Sequence, residues 1–274
     1  MQVEKKRFIE IDFLKGLAVI SMVIFHFFYM SHYMNVKSYN HTSGILRILA
    51  RFAHLTFITV SGLNMGISTA NKKKEDYQLK KIKRGLQLIT LGLIISFVSK
   101  LQFGELYVKF GIMHFMGTAT ILSSFYAYLP KLSVIIAAVI FGFNIILKKT
   151  NIKSWLFNIC TKNPFMCFIS GILNLKYSSL DHFPLIPFLG FFSLGIGLAY
   201  CLYNLTNNKK ERKYKFLGFL DKYKDNFIVK NISWIGKKTP EIYVLHFVIL
   251  WAYFKIQLKN MPSNLTETMM DKYL

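Results

Sequence analysis

Residues 11–30 read IDFLKGLAVISMVIFHFFYM. The run has the length and character of a helix that crosses a bilayer, about 20 mostly apolar residues for a hydrocarbon core of ~30 Å. It also carries groups that such a helix usually avoids: Asp12 and Lys15 near its start and His26 far inside. Polar side chains at that depth are costly, and by default they mark function. Asp12 with Lys15 reads either as an interfacial ion pair that fixes the first helix or as part of a binding site. His26 has no such simple reading.

The rest of the chain extends the membrane pattern. Its 274 residues are 53% hydrophobic, with 26 Phe and 15 Tyr, and the mean hydropathy is +0.35. So much apolar surface has no place in a soluble domain of this length. The fold class expected is all-α, a polytopic transmembrane helix bundle forming a single domain over 1–274. The net charge of +22 suggests nucleic acid at first sight. However, the basic residues sit between the apolar runs, as topology determinants do, so no nucleic-acid partner is expected. Cys160, Cys167 and Cys201 form no CxxC pair, and an odd count excludes a complete disulfide framework. The first run lacks a small-residue cleavage site ahead of it and reads as a retained span.

About seven spans are expected, near 12–33, 45–69, 85–103, 106–129, 132–147, 185–203 and 239–257. The loops before the first span, between the second and third, and between the sixth and seventh are rich in Lys and Arg. The bias is roughly two to one over the opposite side, which predicts a cytoplasmic N-terminus and a multi-pass plasma-membrane protein. Residues 148–184 hold two short apolar runs broken at Asn163 and Pro164, a re-entrant hairpin or an interrupted pair. The Lys-rich stretch 204–238 reads as an amphipathic helix on anionic headgroups.

On that topology none of the seven histidines falls in a cytoplasmic loop. His32, His41 and His182 belong to outer loops or span ends, and His26, His54, His114 and His246 lie within spans. At 1.5 Å rise per residue the heights of those four overlap in the middle and outer bilayer. One buried histidine usually makes a single interhelical hydrogen bond; four of them predict a shared polar cavity. Arg47 and Arg51 in the second span strengthen that reading, because a charge at mid-bilayer costs at least ~2.5–3.5 kcal/mol without a partner. No metal is expected, since no two His stand at i, i+4 on one helix and no carboxylate pair accompanies them.

Several stretches carry a resemblance. I-D-F-L-K-G-L-A-V-I-S-M-V-I-F-H at 11–26, R-F-A-H-L-T-F-I-T-V-S-G at 51–62, F-G-I-M-H at 110–114, D-H-F-P-L-I-P-F-L-G-F-F-S-L-G-I at 181–196 and I-G-K-K-T-P-E-I-Y-V-L-H at 235–246 follow in order. Together they resemble the catalytic family of heparan-α-glucosaminide N-acetyltransferase. Lys15 stands where that family usually has Arg, His54 where Ala is common, His182 in place of Tyr and Phe188 in place of Trp. The resemblance implies acetyl transfer from cytosolic acetyl-CoA to an extracytoplasmic amino sugar or cell-surface glycan. It also implies a catalytic His in the first outer loop, ten residues before the second-span motif, and that position here is His41.

Acetyl transfer to an amine needs a base for the attacking nitrogen, donors for the thioester oxyanion and a hold on the leaving thiolate. His41, His26 and His114 are the candidate bases, because imidazole titrates near neutrality. Asp181 is the candidate to orient such a His or to bind a cationic acceptor. Ser61, Asn64, His54 and His246 are candidate donors lining the acetyl-CoA path, and Arg51 suits its phosphates. An acetyl-His intermediate is equally consistent with the sequence. The partners expected are the lipid bilayer, acetyl-CoA and the glycan acceptor, with homodimerisation left open. The alternative is a proton-coupled or anion transporter using the same His and Arg cavity, although no inverted pair of broken spans is visible.

Overall fold

The computed structural model describes residues 7–34, 36–37, 39–40, 43–69, 73–149, 179–205 and 210–259. Its helices are α1 (Ile9–Tyr33), α2 (Gly44–Ile67), α3 (Lys74–Phe103), α4 (Ile112–Ser124), α5 (Pro130–Lys149), α6 (Leu185–Leu202), α7 (Phe227–Lys237) and α8 (Thr239–Lys259). Strands β1 (Tyr203–Asn204) and β2 (Glu211–Arg212) pair antiparallel. Among the described residues, six helices are long and apolar enough to cross a membrane: α1, α2, α3, α5, α6 and α8. The protein is an integral membrane helix bundle. Its apolar surface is turned outward where no protein covers it. On α3, Leu79, Leu86 and Leu93 repeat every seven residues and are all exposed, with Phe97 and Leu101 continuing the stripe. Such a face has lipid as its solvent.

The chain forms two compact units, residues 1–57 with 216–274, and residues 58–215. In the first, α1 packs on α7 and α8. The approach of α1 and α7 is set by two glycines. A Cβ on Gly16 would strike the Ile232 carbonyl oxygen, and one on Gly236 would strike the Asp12 carbonyl oxygen. Only a hydrogen fits at either place. Asn226 caps α7, its Oδ1 accepting from Ile228 N at 2.9 Å and Val229 N at 3.4 Å. The stretch expected to be one surface helix over 204–238 is therefore the β1–β2 ladder, a 3-10 turn at Lys215–Tyr223 and α7. Its amphipathic character remains. Phe216, Phe219, Phe227, Ile228 and Trp234 are exposed, between the exposed Lys222, Lys224 and Lys230, while Val229, Ser233 and Gly236 are buried.

In the second unit α3 packs on α4, and α5 on α6. Gly62 lets α2 approach the Phe192 carbonyl of α6, and Gly195 lets α6 approach the Thr59 carbonyl of α2. The small residues around Ser61 therefore serve helix contact, and α6 backbone fills the space at Gly62. The largest departure from the sequence expectation is at 106–129. The helix there runs only from Ile112 to Ser124, about 20 Å at 1.5 Å per residue, too short for the ~30 Å core. Ten of its 13 residues are buried. Gly104, with φ 53°, ends α3, and residues 107–111 precede α4 outside any helix. At the other end Pro130 opens α5, where its fixed φ and missing N–H are tolerated.

Candidate active site

Two spans far apart in sequence meet through imidazoles. His26 Nδ1 on α1 lies 2.9 Å from His246 Nε2 on α8. The ring centroids are 5.1 Å apart with planes at 18°, the geometry of rings joined edge to edge by a hydrogen bond. The second nitrogen of His246, Nδ1, lies 3.1 Å from the Ile242 carbonyl oxygen. His246 is buried, at 6% exposure, and His26 is half-buried. His54 on α2 belongs to the same unit and is within electrostatic range of His26. Aromatic rings surround the pair. Phe25 lies 5.7 Å from His26, Tyr243 5.5 Å from His246, and Phe27 packs 5.2 Å from Phe254. The phenylalanine rings lower the polarity around the pair, which strengthens the hydrogen bond between the imidazoles.

Toward the start of α1 the same unit carries charge. Asp12 lies within electrostatic range of Arg7, Lys15 and Lys237. Its Oδ2 is buried and makes no hydrogen bond among the described residues. This end of the unit, where α1 begins and α7 finishes, is predominantly cationic.

In the second unit, His114 sits in the first turn of α4 and is 5% exposed. Its ring fills the space beside Gly92 of α3, where a Cβ would come within 2.8 Å of Nδ1. Phe110 lies 5.4 Å from it, and Nδ1 is buried without a hydrogen-bond partner. Asp181 holds this turn in place. Its Oδ2 accepts from Ile112 N at 3.2 Å, so a carboxylate 69 residues away caps α4 and meets the positive end of its dipole. Phe183 N donates to Phe110 O at 2.9 Å. Ser179 Oγ accepts from Lys109 N at 3.1 Å. Together these bonds tie 107–112 to 179–183. Burial pushes the Asp181 carboxyl up to about 6, and the Ile112 N–H bond partly offsets it. Burial likewise lowers the adjacent His182 to about 4.

The Asp181 shift has a sign that can be tested. A carboxyl whose folded pKa lies above its unfolded value stabilises the fold below about 3.8, and that contribution is lost as pH rises through about 6. Asp181→Asn keeps an oxygen for Ile112 N without the charge. The wild type is expected to fall in thermal stability between pH 4 and 6, and the variant to lose that fall, measured by unfolding in detergent across that range. An identical slope in both proteins would contradict the assignment.

The remaining expected site residues fall as follows. Arg51 and Asn64 are exposed and Ser61 is half-buried. Arg47 and Arg51 lie in the first two turns of α2, where a long cationic side chain reaches past the apolar zone. His41 lies outside the described residues. Sequence reasoning missed Ser179, which has no neighbouring motif, and a hydroxyl cluster in which Thr69 Oγ1 lies 2.8 Å from Tyr200 Oη and Tyr200 donates to Ala127 O at 2.9 Å. Asp181, expected to orient a histidine or bind a cationic acceptor, has its Oδ2 at the N-terminal end of α4.

The sequence profile of the family described as "Heparan-alpha-glucosaminide N-acetyltransferase, catalytic" matches residues 7–248. The chain belongs to that family. The match runs from Arg7 to Val248 and so includes both His26 and His246, as well as His114 and Asp181. Membership makes the protein a membrane acetyltransferase by family. No curated protein and no solved structure matches the chain. Among the described residues no group of three or more His, Cys, Asp or Glu could hold a metal ion.

Proposed function

We propose that the protein transfers an acetyl group from acetyl-CoA to an amine on an extracytoplasmic sugar, with His26 as the general base. The observation that carries this is the 2.9 Å contact between His26 and His246, an interacting imidazole pair on two spans within the region the acetyltransferase family occupies. In the reaction the acceptor nitrogen attacks the thioester carbonyl carbon and passes its proton to the imidazole. The carbon–sulfur bond breaks, and the CoA thiolate leaves and takes up that proton, so one amide and one thiol result. The cationic end formed by Arg7, Lys15 and Lys237 suits the donor's phosphates, and the Lys-rich loops support a cytoplasmic side for that end. His114 and His41 are further candidates for proton transfer, and His54 for oxyanion donation.

The test is direct. Purified protein in nanodiscs, given acetyl-CoA labelled in the acetyl group and a panel of amino sugars, is expected to release free thiol and label an amine in equal amounts. Label retained on the protein after the acceptor is withheld would indicate the acetyl-His route instead of direct attack. Folded protein that yields neither thiol nor labelled amine would contradict the proposal.

A further inference from the structure

The two nitrogens of His246 have different partners, and together they fix where every proton in the pair resides. Nδ1 faces the Ile242 carbonyl oxygen at 3.1 Å, one turn back on α8. A carbonyl oxygen can only accept, so the proton on that side belongs to His246 Nδ1. A neutral imidazole carries one N–H, and His246 Nε2 is left with a lone pair. Nε2 faces His26 Nδ1 at 2.9 Å, so the proton between the rings sits on His26. The same count applied to His26 leaves its own lone pair on Nε2. The reverse arrangement would set a bare His246 Nδ1 against the carbonyl oxygen, two acceptors facing each other, which a buried site does not tolerate.

From this geometry we infer that His246 is a positioning residue: the Ile242 carbonyl and His246 hold His26 in the Nδ1–H tautomer, so that His26 Nε2 is the proton-accepting atom. The role of that atom in acetyl transfer rests on the function proposed above, whereas the tautomer does not. When Nε2 takes the acceptor's proton, His26 becomes an imidazolium whose Nδ1–H already points at His246 Nε2. The bond between the rings then becomes charge-assisted and stronger at the moment charge appears. His54, from α2, is the other titratable group in electrostatic range of His26, and Tyr243 lies beside His246. The arrangement follows the general pattern in which the hydrogen bond on one imidazole nitrogen sets what the other can do.

Protein labelled with nitrogen-15 at histidine, in nanodiscs, reports the tautomer by NMR, with the His26 signals assigned by difference against His26→Asn. His26 is expected to show a protonated Nδ1 and a bare Nε2. His246→Phe removes the acceptor but keeps the ring volume; it should abolish that pattern and lower kcat roughly 10–100-fold, as loss of an orienting partner does, with KM for acetyl-CoA unchanged. His246→Gln places an amide oxygen near the former Nε2 and should restore both the tautomer and most of kcat. A wild-type His26 protonated at Nε2, or an unaltered tautomer and kcat in His246→Phe, would overturn the inference. If His246→Phe does not fold, the wild-type and His246→Gln spectra decide. A wild type with the expected tautomer but no transfer activity would sink the proposed function and leave the positioning role standing.

Discussion

Replacing His26 with Ala is expected to lower acetyl transfer by about 10²–10⁴-fold, the range typical of a lost general base. The ring is joined to His246 across 220 residues of sequence, it lies within a membrane-spanning helix, and it falls within the residues that the family profile matches. A base that acts only in the transition state changes kcat and kcat/KM together. Binding of acetyl-CoA, read by calorimetry on His26→Ala, should therefore stay near the wild-type value. Activity within a factor of ten of wild type would remove His26 from the chemistry and shift attention to His114 and His41.

The second large effect is structural. Gly16→Val and Gly236→Val each place a Cβ on a backbone carbonyl oxygen of the facing helix, that of Ile232 or of Asp12. A flexible side chain could turn aside; a helix backbone cannot. Each variant is expected to lose stability at or beyond the ~1–3 kcal/mol usual for overpacking, a large share of a net stability of ~5–15 kcal/mol. The readout is a depressed unfolding temperature, or loss of the monodisperse peak in detergent chromatography. Gly142→Ala is the control. Its Cβ meets nothing within 4 Å, and the change should be neutral or stabilising by about 0.5–1 kcal/mol, because alanine gives up less backbone freedom in a helix. Equal behaviour of the three variants would show that α1 and α7 are not locked by these glycines.

These positions show what the sequence could and could not reveal. The apolar run at 11–30 is long, and its helix was legible from length alone, as were those at Gly44–Ile67 and Leu185–Leu202. The segment 106–129 reads the same way because a helix buried on all sides by protein is as apolar as one buried by lipid. Hydropathy does not separate those two environments, and α4 came out shorter than a span for that reason. The Lys-rich stretch before the span expected at 85–103 hid another eleven residues of helix, from Lys74 to Arg84, because charge marks where lipid ends and not where a helix ends.

The site was legible as a set of residue types and not as contacts. Depth along a helix follows from counting, so His26 could be placed inside its span. Ring direction does not follow, and nothing in the chain links His26 to His246. Asp181 was singled out as a carboxylate near an outer lip; its cap on Ile112 N depends on a chain reversal that no local pattern encodes. Arg51 was expected to face a polar interior because a charge in a span needs a partner. It is exposed because α2 begins at Gly44, which leaves Arg51 only two turns from the helix end.

The reaction proposed for this bundle moves an acetyl group from one face of the membrane to an amine on the other. Sealed proteoliposomes with glucosamine trapped inside and labelled acetyl-CoA outside test it most directly. The predicted result is labelled N-acetylglucosamine in the lumen, with free CoA remaining outside and no product from His26→Ala vesicles. Absence of acetylated sugar from vesicles of folded wild-type protein, together with solute flux that needs no CoA, would contradict the claim and identify a transporter instead.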